Sequence, residues 1–90
     1  MNIVSSSLYE EQLKAILAPM AKANFSETKK FKMYLDTIIL NAPTKAKKYK
    51  KSIYFNNENI KDIEHQGYTI IFYMDIKTGT YVILGITADQ

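Results

Sequence analysis

Two glycine-marked breaks in the last third of the chain, His65-Gln66-Gly67 and Lys77-Thr78-Gly79-Thr80, separate three β-like runs. Glycine enters positive φ without steric penalty, as tight hairpins demand. Connections this short join only antiparallel neighbours, because a parallel crossover needs about a dozen residues or more. The first run is Ile60-Lys61-Asp62-Ile63. The second, residues 68–76, is dense in β-branched and aromatic side chains, and the third covers residues 81–86. The pattern predicts a three-stranded meander, with the upstream chain covering one of its faces.

Upstream, Asn2-Ile3-Val4-Ser5 is a short β-like start that could add a strand. Ser7 then stands as N-cap, with Glu10 three residues on to complete a capping box. Leu8, Tyr9, Leu13, Ile16, Leu17 and Met20 follow at helical spacing. Pro19 predicts a kink or an end near Ala18, with irregular backbone to Ala23, since proline inside a helix costs about 3 kcal/mol. Asn24 and Glu27 form a second capping box, with Ser26 as the competing cap, and Phe31, Leu35, Ile38, Ile39 and Ala42 share one face of a second helix that Pro43 should stop. Residues 44–51, TKAKKYKK, lack apolar periodicity and read as an exposed loop or irregular segment. Ser52-Ile53-Tyr54-Phe55 reads as a short strand before the turn-rich Asn56-Asn57-Glu58-Asn59. The expected order is β, α, α, β, β, β, β. This is an α+β domain in which an N-terminal strand and a helical hairpin pack on a mainly antiparallel sheet, residues 1–90 forming one unit.

Composition narrows the function classes. Ninety residues suffice for one small core. No cysteine is present, which excludes disulfides and thiolate metal sites. The serines at 5, 6 and 7 do not make a signal pattern, and the apolar run at 68–74 is too short to span a bilayer. The expected location is the cytoplasm, without a membrane partner. All twelve basic residues are lysine, and Lys45, Lys47, Lys48, Lys50 and Lys51 fall within seven positions. With Tyr49 among them, they offer either a solvated surface, a phosphate- and base-contacting patch, or an attractor for an acidic partner. Asp62, Glu64 and Asp75 do not make a metal-ligand pattern, and no phosphate-cradling glycine loop is present, so neither a metal nor a small-molecule cofactor is expected.

The run Ile60-Lys61-Asp62, then Gly67-Tyr68-Thr69-Ile70-Ile71-Phe72 and Asp75, closing on Val82-Ile83-Leu84-Gly85-Ile86, resembles the RelE/ParE toxins of type II toxin–antitoxin modules. The segment Tyr49-Lys50-Lys51-Ser52-Ile53-Tyr54-Phe55 looks like the one that enters the sheet in several members. The resemblance implies a strand, a helical hairpin and a sheet, and a cognate antitoxin as partner. It implies either of two activities: RelE-like cleavage of messenger RNA on the ribosome, or ParE-like poisoning of DNA gyrase without nuclease chemistry. A sheet edge or the helical-hairpin groove would accept the antitoxin.

Cleavage by a 2′-hydroxyl needs a base, an acid and cations that hold the phosphate. The resemblance places Lys61 where many relatives carry arginine, with Lys50, Lys51, Tyr54 and His65 as candidate catalytic helpers. Lysine lacks the planar fork that grips phosphate through two parallel hydrogen bonds. His65 reads first as an exposed turn residue, and second as the one side chain that titrates near neutrality without perturbation. Residues 88–90 carry no basic or aromatic side chain for such a site. The expectation is therefore a growth-inhibiting toxin of the gyrase-binding kind, with the ribosome-dependent endoribonuclease as alternative. A degenerate member that binds an antitoxin without activity is a third reading.

Overall fold

The computed structural model describes residues 2–89, so Gln90 of the tail lies outside it. The elements are β1 (Asn2–Ser5), α1 (Ser7–Ala23), α2 (Phe25–Lys45), a 3-10 turn (Ala46–Lys48), β2 (Ile60–His65), β3 (Tyr68–Asp75) and β4 (Thr80–Ala88). Both helices pack on one face of a four-stranded mixed sheet ordered β1-β4-β3-β2. The meander forms as the glycines predict. Gln66 and Gly67 take successive positive φ values of 47° and 85°, the two-residue turn whose twist matches a hairpin. His65 is therefore the last strand residue, opposite Tyr68, rather than part of an exposed turn. Ile76, expected in the second strand, lies beyond it and is 74% exposed.

β1 joins the sheet at its far edge, parallel to β4, from Asn2↔Thr80 to Ser5↔Ile83. The helix that follows then takes over β4's edge. Ser6 rather than Ser7 is the N-cap: its Oγ accepts from the Tyr9 N–H at 3.1 Å. The same hydroxyl donates to the Leu84 carbonyl at 3.0 Å, and the Ser6 N–H donates to Ile83 at 3.0 Å. Nearly two turns further, Gln12 Oε1 accepts the Ile86 N–H at 2.9 Å. Gly85 permits this approach, since a Cβ there would meet Gln12 Oε1 at 2.8 Å. Side chains of α1 thus occupy positions that another strand's backbone would fill. Gln12→Ala leaves the Ile86 N–H orphaned and is expected to cost about 1–2 kcal/mol. Urea unfolding and faster amide exchange at Ile86 measure it; unchanged exchange there would sink the account.

The core joins Tyr9 and Leu13 of α1 and Phe31, Leu35, Ile39 and Ala42 of α2 to Ile63, Ile70, Phe72, Ile83 and Ile86 of the sheet. Leu8, expected on the first stripe, is 56% exposed, because at 3.6 residues per turn it lies about 100° around the helix from Tyr9 and further still from Leu13. Neither proline ends its helix. α1 runs through Pro19 to Ala23, where Met20 packs on the core and accepts the Asn24 N–H at 2.9 Å. α2 runs through Pro43 to Lys45, because Ala42 and Ala46, one turn apart, are both buried. Packing of an apolar face outweighs the lost hydrogen bond near a helix end. Asn24 caps α2 as expected, its Oδ1 accepting the Glu27 N–H at 3.0 Å.

The segment after α2 is only partly a loop. Residues 44 and 45 are helical, and residues 46–48 make a 3-10 turn. Residues 52–55 do not form the expected strand. Only Lys51 bridges β2, opposite Lys61, with Ser52 N–H to Ile60 and Asp62 N–H to Lys50. Ile53 then turns away, its N–H donating to Asp62 Oδ2 at 3.1 Å. Among the described residues no helix is long and apolar enough to cross a membrane.

Candidate functional site

Strand alternation divides the candidate residues. Lys61, Ile63 and His65 share one face of β2, paired with Phe72, Ile70 and Tyr68 on the helix-covered side. Asp62 and Glu64 point the other way, paired with Ile71 and Thr69. The period of two carried this division in the sequence; the two carboxylates are the site residues that charge counting alone overlooks.

Lys51 and Lys61 are brought together. The two hydrogen bonds flanking their bridge make them a non-hydrogen-bonded antiparallel pair, the kind that holds side chains closest on a shared face. Two like charges so placed repel. Lys51 is drawn off by Asn56, which accepts from its Nζ at 2.9 Å, and by Glu58 at 3.5 Å. Lys61 has no ion pair among the described residues.

Lys50 belongs to a cleft of about 300 Å³ beside β2, lined by Lys48, Tyr49, Lys50, Lys51, Asp62 and Glu64 among others. Its lysines face two carboxylates rather than a neutral floor. Asp62 Oδ2 is held by the Ile53 N–H, while its Oδ1 is buried without a partner among the described residues. A phosphate entering here meets negative charge as well as positive.

Tyr54 and His65 join neither group. Tyr54 is half exposed and lines a separate groove with Leu8, Gln12, Phe55, Ile71 and Gly85. His65 is 8% exposed, its ring 5.3 Å from that of Phe31, and its Nε2 is buried without a partner among the described residues. It sits four residues along β2 from Lys61, roughly 13 Å at strand rise. Its position is that of a core aromatic beside Phe31 and Tyr68, whose own rings meet edge-on at 5.4 Å. Tyr49 and Tyr81 likewise pack their rings on Phe72, at 5.9 and 6.1 Å.

Among the described residues no group of three His, Asp or Glu side chains is placed to hold a metal ion. The arrangement offers one close lysine pair, one mixed-charge cleft and a set of packed aromatics. No protein-family model matches the chain, and no curated protein matches it either.

Proposed function

We propose that the chain is a RelE/ParE-like toxin that inhibits growth by binding a macromolecular target, DNA gyrase in first place, and is neutralised by a cognate antitoxin in the cytoplasm. The element order β-α-α-β-β-β agrees with what the sequence resemblance implies, and its motif residues fall on the β2–β3 hairpin and on β4. One observation carries the preference for binding over cleavage: the candidate catalytic side chains do not converge. Lys51 faces Lys61 and also lines, with Lys50, the cleft that holds Asp62 and Glu64, whereas Tyr54 is in another groove and His65 is sealed under Phe31. General acid–base cleavage requires its groups within hydrogen-bond reach of one phosphodiester.

The Lys51–Lys61 pair favours the endoribonuclease as second reading, since two adjacent ammonium groups can hold a phosphate. Inducible expression with mapping of messenger ends separates the two. The gyrase-binding toxin arrests growth, inhibits supercoiling by purified gyrase, and leaves messages intact. Discrete cuts in ribosomal A-site register, lost in Lys61→Ala, would replace it with the nuclease. Normal growth together with capture of an antitoxin would leave the degenerate member.

A further inference from the structure

The C-terminal end of α2 and the β3–β4 turn enclose a groove of about 700 Å³. Its floor is apolar, built from Pro43, Ala46, Met74, Ile76 and Tyr81. Lys45, Lys47 and Lys48 also line it, all exposed and none in an ion pair among the described residues. Asp75 is the only acidic side chain lining it. Ile76, at the turn's start, is 74% exposed, a large apolar group held in water.

We propose that this groove docks an acidic protein segment carrying apolar side chains, with the three lysines reading its carboxylates and Met74, Ile76 and Tyr81 taking its apolar anchors. Charge complementarity names the partner: a row of unpaired ammonium groups beside one carboxylate attracts a chain of the opposite sign and speeds its encounter. The floor rules on the class of macromolecule. Bases stack on aromatic faces, and this floor offers aliphatic ones with a single tyrosine. A bilayer surface meets a convex patch, whereas this surface is a groove, which a protruding chain can enter. Met74 suits the task, since an unbranched thioether adapts to irregular partners. The groove shares Lys48 with the cleft beside β2 but not Lys51 or Lys61, and its occupancy is read on purified protein, apart from any effect on growth.

The test uses the full chain and a short fluorescent peptide of alternating glutamate and leucine, with a glutamine-for-glutamate copy as control. Anisotropy is expected to show binding of the acidic peptide only, weakening as salt rises. The Lys45→Glu, Lys47→Glu, Lys48→Glu variant is expected to weaken it at least about tenfold, and Ile76→Asp by a similar factor. Reversal of Lys14, Lys22 and Lys30, exposed on the helices, changes net charge equally and is expected to leave binding within about twofold. Amide shifts on binding should cluster at residues 43–48 and 74–81. Equal loss in both triple variants, binding of the glutamine copy, or shifts elsewhere would each overturn the proposal. So would failure of the acidic peptide, alone or alongside binding of anionic vesicles or an RNA oligonucleotide to the same lysines.

Discussion

Phe72→Ala is expected to destabilise the protein by about 3–5 kcal/mol, a third or more of the stability typical of a domain this size. Phe72 is fully buried on β3, an interior strand of the sheet. Its neighbours come from three separate parts of the chain. Tyr49, just after the 3-10 turn, meets its ring at 83°, and Tyr81 of β4 lies over it at 34°. Lys61 of β2 and Ile83 of β4 flank it in register. Truncation leaves a cavity that cannot readily collapse, because the β2 and β4 walls are pinned by backbone ladders on either side of β3. The register also shifts here: the ladder steps from Ile71↔Gly85 to Phe72↔Ile83, so Leu84 is the extra residue of a β-bulge. Loss of the ring is thus expected to loosen β4 where α1 grips it. Urea unfolding with matched m-values measures the change. Tyr73→Ala, on the opposite face, should cost about 1 kcal/mol or less. A Phe72→Ala loss as small as that would mean the core is centred elsewhere.

The meander and the helical hairpin were legible for a reason particular to local signals. Gly67, Gly79 and the Asn24 cap act over a few residues, and each lies where spacing and propensity put it. What was not legible depended on partners far away in the chain. Met20 and Ala42 stand on the expected stripes, but nothing near Pro19 or Pro43 says that their core contacts, joined by those of Ala46, outweigh the prolines and keep each helix going. The choice of Ser6 over Ser7 as cap is decided by Ile83 and Leu84, more than seventy residues on. The lysine-rich run shows the same limit at the site. In sequence it is one cluster. In the fold, Lys45 and Lys47 line one groove, Lys48 borders both that groove and a cleft beside β2, Lys50 and Lys51 line the cleft, and Lys51 also pairs with Lys61. The chain crosses the edge of the sheet within that run, so neighbouring lysines serve different surfaces. His65 shows it once more: its ring is buried because Phe31, on the second helix, lies over it.

Tyr9 gives the strongest expected dependence on pH. Its side chain is 3% exposed in the angle between α1 and α2, and its hydroxyl has no hydrogen-bond partner among the described residues. Burial first, and then the negative charges of Asp36 and Glu10, push its pKa up to about 12. In the unfolded chain a tyrosine titrates near pH ~10. Below that value both states hold the proton, and the contribution to stability is fully present. Above it the unfolded state loses the proton while the folded state keeps it, so stability falls by about 1.4 kcal/mol per pH unit. The loss reaches about 3 kcal/mol as pH rises through the folded value. Lysines titrate in the same range, so the readout is the gap between Tyr9→Phe and the parent, which share every other group. At neutral pH the variant is expected to be more stable by about 1 kcal/mol, because an unpartnered buried hydroxyl is gone. Between pH ~10 and ~12 the gap should widen by about 3 kcal/mol. Asp36 is exposed and bound to Lys32 at 2.7 Å, so its share is screened, and Asp36→Asn should narrow the widening only slightly. A gap that stays constant with pH would show that solvent reaches the phenol, and that the two helices close less tightly over the sheet than Tyr9 and Leu13 require.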